Sequence, residues 1–155
     1  MKRLIRKFKQ PLAKPELKRF LIEGFLGAVV FGSLLGALDY LIIYTKLQFL
    51  SFFTFLIFYI FITRRLYRSF NFYHIAYSFL AVFFVLLGDY FITVSHQIIL
   101  SVHLFGRIFV AVFNPINQFR FLFSWSLNPL AIMTNILNIV IYIIVCVFTY
   151  QNMKR

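Results

Sequence analysis

Long apolar runs that contain very few charges constrain this chain more than any other feature. Only four carboxylates occur in 155 residues, and three of them, Glu23, Asp39 and Asp89, lie within or at the ends of these runs. A run of about 20 apolar residues is long enough to cross the hydrocarbon core of a bilayer as a helix. With 62% hydrophobic residues, the chain also has more apolar surface than a soluble fold of this size would bury. The sequence therefore predicts a small all-α membrane protein.

The apolar runs predict about four transmembrane helices in one domain that covers residues 15–155. The first helix is expected to begin at Pro15, because proline is tolerated in the first turn of a helix. Asn128 and Pro129 form a cap and first-turn pair at the start of the last helix. The predicted spans cover residues 18–44, 47–63, 73–95 and 129–150.

The segment 96–127 is predicted to be either interfacial or a fifth span, with a helix that ends at Asn114-Pro115. His96, His103, Arg107 and Asn114 are separated by seven, four and seven residues, which places them in one stripe of a continuous helix. The distribution of Lys and Arg favours the interfacial alternative, because both termini then lie on the inner side together with the Arg64–Arg68 cluster.

The amino-terminal flank is strongly basic. Eight of the sixteen Lys and Arg residues fall within positions 2–19, directly before the first apolar run. This placement is typical of a flank on the cytoplasmic or matrix side, where cations meet anionic headgroups. We therefore interpret residues 1–14 as a basic amphipathic segment that contacts anionic phospholipids, and we expect no nucleic-acid partner.

A repeat of small residues marks one face of the first predicted span. Gly24, Ala28, Gly32 and Gly36 recur every four residues, so another helix can approach this face closely. The neighbour can be another span of the same chain or a helix of a partner subunit. The sequence leaves both alternatives open, and it predicts a helix-packing role for these four residues.

The acidic residues within the spans define a candidate polar pathway. Asp39-Tyr40 and Asp89-Tyr90 repeat the same pair near the outer ends of spans one and three, where we expect the two carboxylates at the same depth. A carboxylate in this setting needs a donor or a cation, and His96 and Arg107 are the candidate partners. Together with His103, these residues form a polar stripe that either lines a pathway or simply reaches interfacial water.

No sequence pattern indicates catalysis or a bound cofactor. The chain contains no serine–histidine–acid set, no glycine-rich phosphate loop and no HExxH motif. His74 and His96 are about 33 Å apart along a helix, which is too far for shared haem ligation, and the lone Cys146 has no partner for a disulfide. We therefore predict no catalytic, cofactor-binding or metal-binding residues.

One stretch of the sequence resembles a known family. RFLIEG at 19–24, four predicted spans, and Arg64-Arg65 at the end of the second span resemble the GtrA-like proteins. These are small membrane proteins associated with the movement of polyprenyl-linked sugars. The resemblance covers about the first 70 residues, the first span lacks the asparagine expected in that family, and no site residue is transferred from it.

These features favour a non-catalytic, multi-span subunit of a larger energy-transducing, respiratory-type or transport complex. The alternative is a self-contained oligomeric transporter, flippase or channel. The abundance of Phe, Ile and Tyr is typical of an AT-rich genome. It indicates a location in the mitochondrial inner membrane or a bacterial plasma membrane.

Overall fold

The computed structural model describes residues 14–47, 50–123, 126 and 128–154. Regular structure in these residues is entirely helical. The predicted basic segment 1–14 lies outside the described residues except for Lys14. The five helices are α1 (Lys14–Tyr44), α2 (Ser51–Tyr67), α3 (Ile75–Phe105), α4 (Pro115–Leu122) and α5 (Pro129–Asn152).

Three of these helices, α1, α3 and α5, are long and apolar enough to cross a membrane. Many of their large apolar side chains are exposed, as is usual for surfaces that face lipid. The structure therefore agrees with the prediction of an all-helical membrane-embedded protein. Helix α2 has 17 residues and lies against α1 and α3.

Local sequence signals fix several helix ends. Pro15 lies in the first turn of α1, as predicted. The Asn128 side chain accepts a hydrogen bond from the backbone N–H of Leu130 at 3.3 Å, so the predicted cap of α5 is confirmed. Helix α3 ends at Gly106, which adopts the left-handed conformation with φ 67°.

Two of the three long helices run parallel and the third runs antiparallel to them. Helices α1 and α3 run parallel, because Gly32 lies against Gly88 and Gly36 lies one turn further along against Ile92. Helix α5 runs antiparallel to α3. The Ser78 hydroxyl donates to the backbone carbonyl of Tyr150 at 3.2 Å, whereas Asp89, further along α3, contacts Tyr142, which comes earlier in α5.

Helix α2 runs antiparallel to α1. Near one end of the bundle the Arg65 side chain pairs with Glu23, and near the other the Thr54 hydroxyl contacts Asp39. Both described termini, at Lys14 and Lys154, therefore lie at the same end as the Arg64–Arg68 cluster. We call this the inner end and the opposite one the outer end.

The core lies at the inner half of the bundle and is rich in aromatic rings. Phe70 and Tyr77 stack with ring centroids 4.8 Å apart, and Phe20 packs on Tyr77 at 4.9 Å. Aliphatic side chains fill the space between the rings. The completely buried members of this core are Phe20, Phe58, Ile62, Leu66, Ala81 and Met153.

The small-residue face of α1 packs against α3 within the same chain. A Cβ atom on Gly32 would lie 2.9 Å from the carbonyl oxygen of Gly88, and one on Gly36 would collide with the carbonyl oxygen of Ile92. Gly24 faces the Phe84 ring, and Ala28 is completely buried. The backbones of α1 and α3 approach each other closely along this face.

A π-helical turn at Gly27–Phe31 interrupts α1 in the middle of this face. In a regular helix each residue turns by about 100°, so a repeat of four residues drifts by about 40° per step. A π turn is wider and reverses part of this drift. It therefore helps to hold Gly24, Ala28, Gly32 and Gly36 on the side of α1 that meets α3.

The prediction of one continuous helix from His96 to Asn114 is wrong. Residues up to Phe105 belong to α3, which continues for 31 residues through the predicted boundary at position 95. A short 3-10 turn at Val110–Phe113 and the short helix α4 follow. The physical reason is Gly106, whose left-handed backbone ends the helix eight residues before Asn114-Pro115.

Candidate functional site

Asp39 lies in a buried polar cluster at the outer half of the bundle. The Thr54 hydroxyl of α2 donates a hydrogen bond to Oδ1 of Asp39 at 3.2 Å. Nδ1 of His96 in α3 lies 3.0 Å from Oδ2, within ion-pair distance, although the ring is not oriented for a hydrogen bond. Asp39 and His96 are only 9% and 7% exposed. Three helices therefore contribute one polar side chain each to a site that is closed to bulk water.

Aromatic rings connect this cluster to the outer surface. The Tyr40 ring contacts the ring of His96 edge-on, with centroids 5.8 Å apart. The Tyr40 hydroxyl hydrogen-bonds to Nδ1 of His103, which is exposed and lies in the last turn of α3. The Tyr44 ring stacks beside Tyr40 and also contacts the His103 ring edge-on. A line of polar and aromatic groups thus runs from the buried Asp39 to the outer end of α3.

Asp89 lies in a second, separate polar position between α3 and α5. The Tyr142 hydroxyl donates a hydrogen bond to Oδ2 of Asp89. Both residues line a cavity of about 610 Å³ whose other walls are mainly apolar. Because a carboxylate in such surroundings is costly unless it is hydrogen-bonded, the phenol of Tyr142 is an essential partner.

The expectation that Asp39 and Asp89 lie at the same depth is wrong. Gly36 lies level with Ile92, so Asp39 is level with the residues around His96 rather than with Asp89. Seven residues of helix separate these two levels on α3, or about 10 Å. The two carboxylates therefore cannot share one cation, and each has its own partner.

The predicted polar stripe is divided by the end of α3. His96 and His103 are on this helix, whereas Arg107 and Asn114 follow its terminus. The Arg107 guanidinium lies 4.8 Å from the ring centroid of Phe109. Of the two candidate partners for a buried aspartate, the structure brings His96 to Asp39 and places Arg107 elsewhere.

Two partners in this site were not found by sequence reasoning. Thr54 and Tyr142 are hydroxyl-bearing residues within apolar runs, and such residues are common at helix interfaces in membranes. Which hydroxyl contacts a given aspartate depends on how the neighbouring helices are aligned, and the sequence pattern does not specify that alignment. A third missed contact joins Gln118 of α4 to Gln97 of α3 at 3.2 Å, which anchors the short helix beside the cavity.

Asp39 and His96 place a carboxylate beside an imidazole inside the bundle. Ionisable side chains in membrane helices commonly pair with one another and mark ion or proton pathways. Among the residues that the structure describes, no three His, Cys, Asp or Glu side chains group closely enough to hold a metal ion.

Comparisons with protein families, with curated proteins and with solved structures gave no match for this chain. The resemblance to the GtrA-like proteins therefore has no support beyond the residues that suggested it.

Proposed function

We propose that the protein is a non-catalytic, multi-span subunit that packs within a larger energy-transducing or transport assembly. The proposed location is the mitochondrial inner membrane or a bacterial plasma membrane, and a respiratory-type complex is the favoured kind of assembly. Other membrane subunits are its expected partners, and anionic phospholipids are expected at the basic amino-terminal segment.

The proposal includes four spans, with α2 as the fourth. Helix α2 is about 25 Å long at 1.5 Å per residue, slightly shorter than a typical hydrocarbon core. Its inward residues Phe58, Ile62 and Leu66 are completely buried against the long helices. A helix inserted so deeply into the bundle crosses the same layer as its neighbours.

The observation that carries the subunit proposal is the loose attachment of α5. No residue in the most apolar stretch of 18 residues in α5 is buried, although the helix is long enough to span a membrane. Its contacts with α3 include the Asp89–Tyr142 and Ser78–Tyr150 hydrogen bonds and the packing of Tyr150 on Phe79. Helix packing in membranes depends on close van der Waals contact, and most of the apolar surface of α5 is left without it among the described residues. A neighbouring subunit would supply that contact.

Site-specific photocrosslinking in native membranes tests this proposal. A photoreactive amino acid is placed at Leu137 or Ile144, which are 54% and 47% exposed on α5. Leu34 and Leu41 of α1, 61% and 60% exposed, are the control positions. We expect the α5 positions to form an adduct with a different membrane polypeptide, identified by mass spectrometry, in higher yield than the α1 positions.

The absence of a heterologous adduct from both α5 positions would contradict the subunit proposal. An adduct that contains only a second copy of this chain would instead favour the alternative of a self-contained oligomer. Purification of the tagged protein in mild detergent provides an independent measurement, because a subunit should copurify with other polypeptides in fixed stoichiometry.

The second candidate function is a small oligomeric transporter, flippase or channel. The buried acidic residues favour it, because ionisable side chains inside membrane helices commonly mark ion or substrate pathways. Asp39 and His96 would carry the coupled proton, and His103 would connect them to the outer side.

Asp39→Asn and Asp89→Asn distinguish the two candidates. Each amide keeps the shape and some hydrogen bonds of the acid but cannot carry its charge. For a subunit we expect slightly lower abundance and nearly normal activity of the assembled complex. Loss of transport or proton flux at normal abundance would instead support the carrier. Normal flux in both variants would contradict an Asp-dependent carrier.

A further inference from the structure

One face of α2 changes from apolar to cationic as it approaches the inner end. Ile57, Ile60 and Phe61 are exposed by 54%, 45% and 40%, and Arg64 and Arg68 continue the same face at steps of three and four residues. A membrane phospholipid has the same order along its length, with acyl chains followed by a charged headgroup.

This face forms one wall of a cleft of about 630 Å³ at the inner end of the bundle. Arg19 and Glu23 of α1 contribute to the opposite side. The volume falls in the range of roughly 300–1,000 Å³ that is usual for ligand sites. The cleft is distinct from the amino-terminal segment, because its walls belong to α1 and α2.

Arg19, Arg64 and Arg68 form no ion pair within the described part of the chain. Each of the four Asp and Glu side chains has another partner: Glu16 accepts from Asn71, Glu23 in the cleft wall pairs with Arg65, Asp39 lies beside His96 and Asp89 accepts from Tyr142. The cleft therefore has three exposed guanidinium groups that no described carboxylate pairs with. These groups are open to an external anion.

Arg65 and Glu23 have a different role, which is to hold the cleft in shape. Their ion pair joins α1 to α2 beside the three unpaired arginines. The Arg65 guanidinium also lies 6.0 Å from the ring centroid of Phe31. The walls are therefore preorganised, and the remaining arginines can contact phosphate oxygens without a rearrangement of the helices.

We propose that this cleft is a binding site for an anionic phospholipid of the inner leaflet. The phosphate diester contacts Arg19, Arg64 and Arg68, and an acyl chain follows the apolar part of the α2 face. The apolar wall, which continues directly from the cations, favours a lipid over a soluble phosphate. This inference does not depend on whether the protein is a subunit or a carrier.

Native mass spectrometry of the full-length protein in mild detergent tests the site. Binding of phosphatidylglycerol is compared with that of phosphatidylcholine with the same acyl chains. Each cation near a membrane surface contributes about a fivefold change in affinity. We therefore expect R64Q/R68Q to bind phosphatidylglycerol about 25-fold more weakly than the wild type, and R68Q about fivefold more weakly. R68Q alone suffices if the double variant does not purify.

The matched control is K46Q/R107Q, which removes two exposed cations from the outer end. We expect it to change phosphatidylglycerol affinity by less than about twofold, since these cations lie far from the cleft. Equal losses in the two double variants, or unchanged binding in R64Q/R68Q, would overturn the proposal. Glycerol phosphate is added as a competitor, and displacement of the lipid at comparable concentrations would show a soluble-anion site instead.

Discussion

Each buried acidic residue in the bundle has a hydrogen-bond donor beside it, and the donors differ. Asp39 accepts from the Thr54 hydroxyl and also lies within ion-pair distance of the His96 imidazole, whereas the described polar partner of Asp89 is the phenol of Tyr142. Loss of one partner of a buried polar group costs more than the pair itself contributes, because the remaining group is left desolvated. Asp89 is therefore the more vulnerable of the two sites.

This vulnerability gives a prediction for Tyr142→Phe. The substitution keeps the ring but removes the donor to Asp89, so we expect a loss of about 1–3 kcal/mol in stability. Thermal unfolding in detergent, followed by a thiol- or tryptophan-based signal, should show a lower Tm.

Tyr150→Phe is the matched control on the same helix. Its ring packs on Phe79, and its hydroxyl makes no hydrogen bond to the part of the chain that the structure describes. We expect this variant to unfold within about 0.5 kcal/mol of the wild type. Similar Tm values for the Tyr142 and Tyr150 variants would contradict the role assigned to Tyr142.

Sequence reasoning at this scale recognised the acids but only part of their surroundings. The carboxylates within the apolar runs are visible directly in the sequence, and so is His96, the partner of Asp39. The assignment of Arg107 to the same stripe failed because it required a continuous helix. The Tyr142 contact depends on how α5 is placed against α3, which no local pattern specifies.

At the scale of helices, the α1–α3 interface is the best-packed part of the described chain. The glycines allow backbone atoms of the two helices to approach, so this contact consists of van der Waals packing over several turns. The π-helical turn at Gly27–Phe31 contributes by keeping the four small residues on one side. The interface thus combines a visible sequence pattern with a backbone irregularity that the pattern did not predict.

Gly36→Leu should disrupt this interface severely. Any side chain at this position collides with the backbone of α3 at Ile92, which cannot move without separating the helices. We expect a loss of more than about 3 kcal/mol or a failure to accumulate folded protein, because such overpacking exceeds the usual cost of 1–3 kcal/mol. Gly32→Leu should behave similarly.

Leu34→Phe provides the control, since Leu34 is on the same helix but is 61% exposed. It adds bulk toward lipid and should leave the folded yield nearly unchanged. Yields of monodisperse protein by size-exclusion chromatography measure the difference. A normal yield and Tm for Gly36→Leu would contradict the close packing of α1 on α3.

The helix boundaries show what the sequence could and could not specify. The helix starts at Pro15 and Asn128-Pro129 could be predicted because each depends on one or two residues. The end of α3 could not be predicted in this way, because the predicted helix was made only as long as a bilayer is thick. The structure continues it to Phe105, a total length of about 46 Å, until Gly106 supplies a left-handed residue.

At the scale of the whole molecule, the cations are separated between the two ends of the bundle. The described inner-end cations are Lys14, Lys18, Arg19, Arg64, Arg65, Arg68 and Lys154, whereas Lys46, Arg107 and Arg120 belong to segments at the outer end. From the positive-inside rule we expect the richer end on the cytoplasmic or matrix side. Because both described termini lie at that end, the arrangement requires an even number of crossings, and four is the number that we propose.

The accessibility of introduced cysteines tests this orientation. On a Cys146→Ser background, single cysteines replace Tyr67 and Asn152 at the inner end and Lys46 at the outer end, all of them exposed positions. An impermeant thiol reagent applied to intact cells or mitoplasts should label only position 46, because the bilayer shields the inner end. All three positions should react after permeabilisation, which confirms that each thiol is accessible. Labelling of position 152 but not 67 from outside would require an odd number of crossings and would contradict the four-span arrangement.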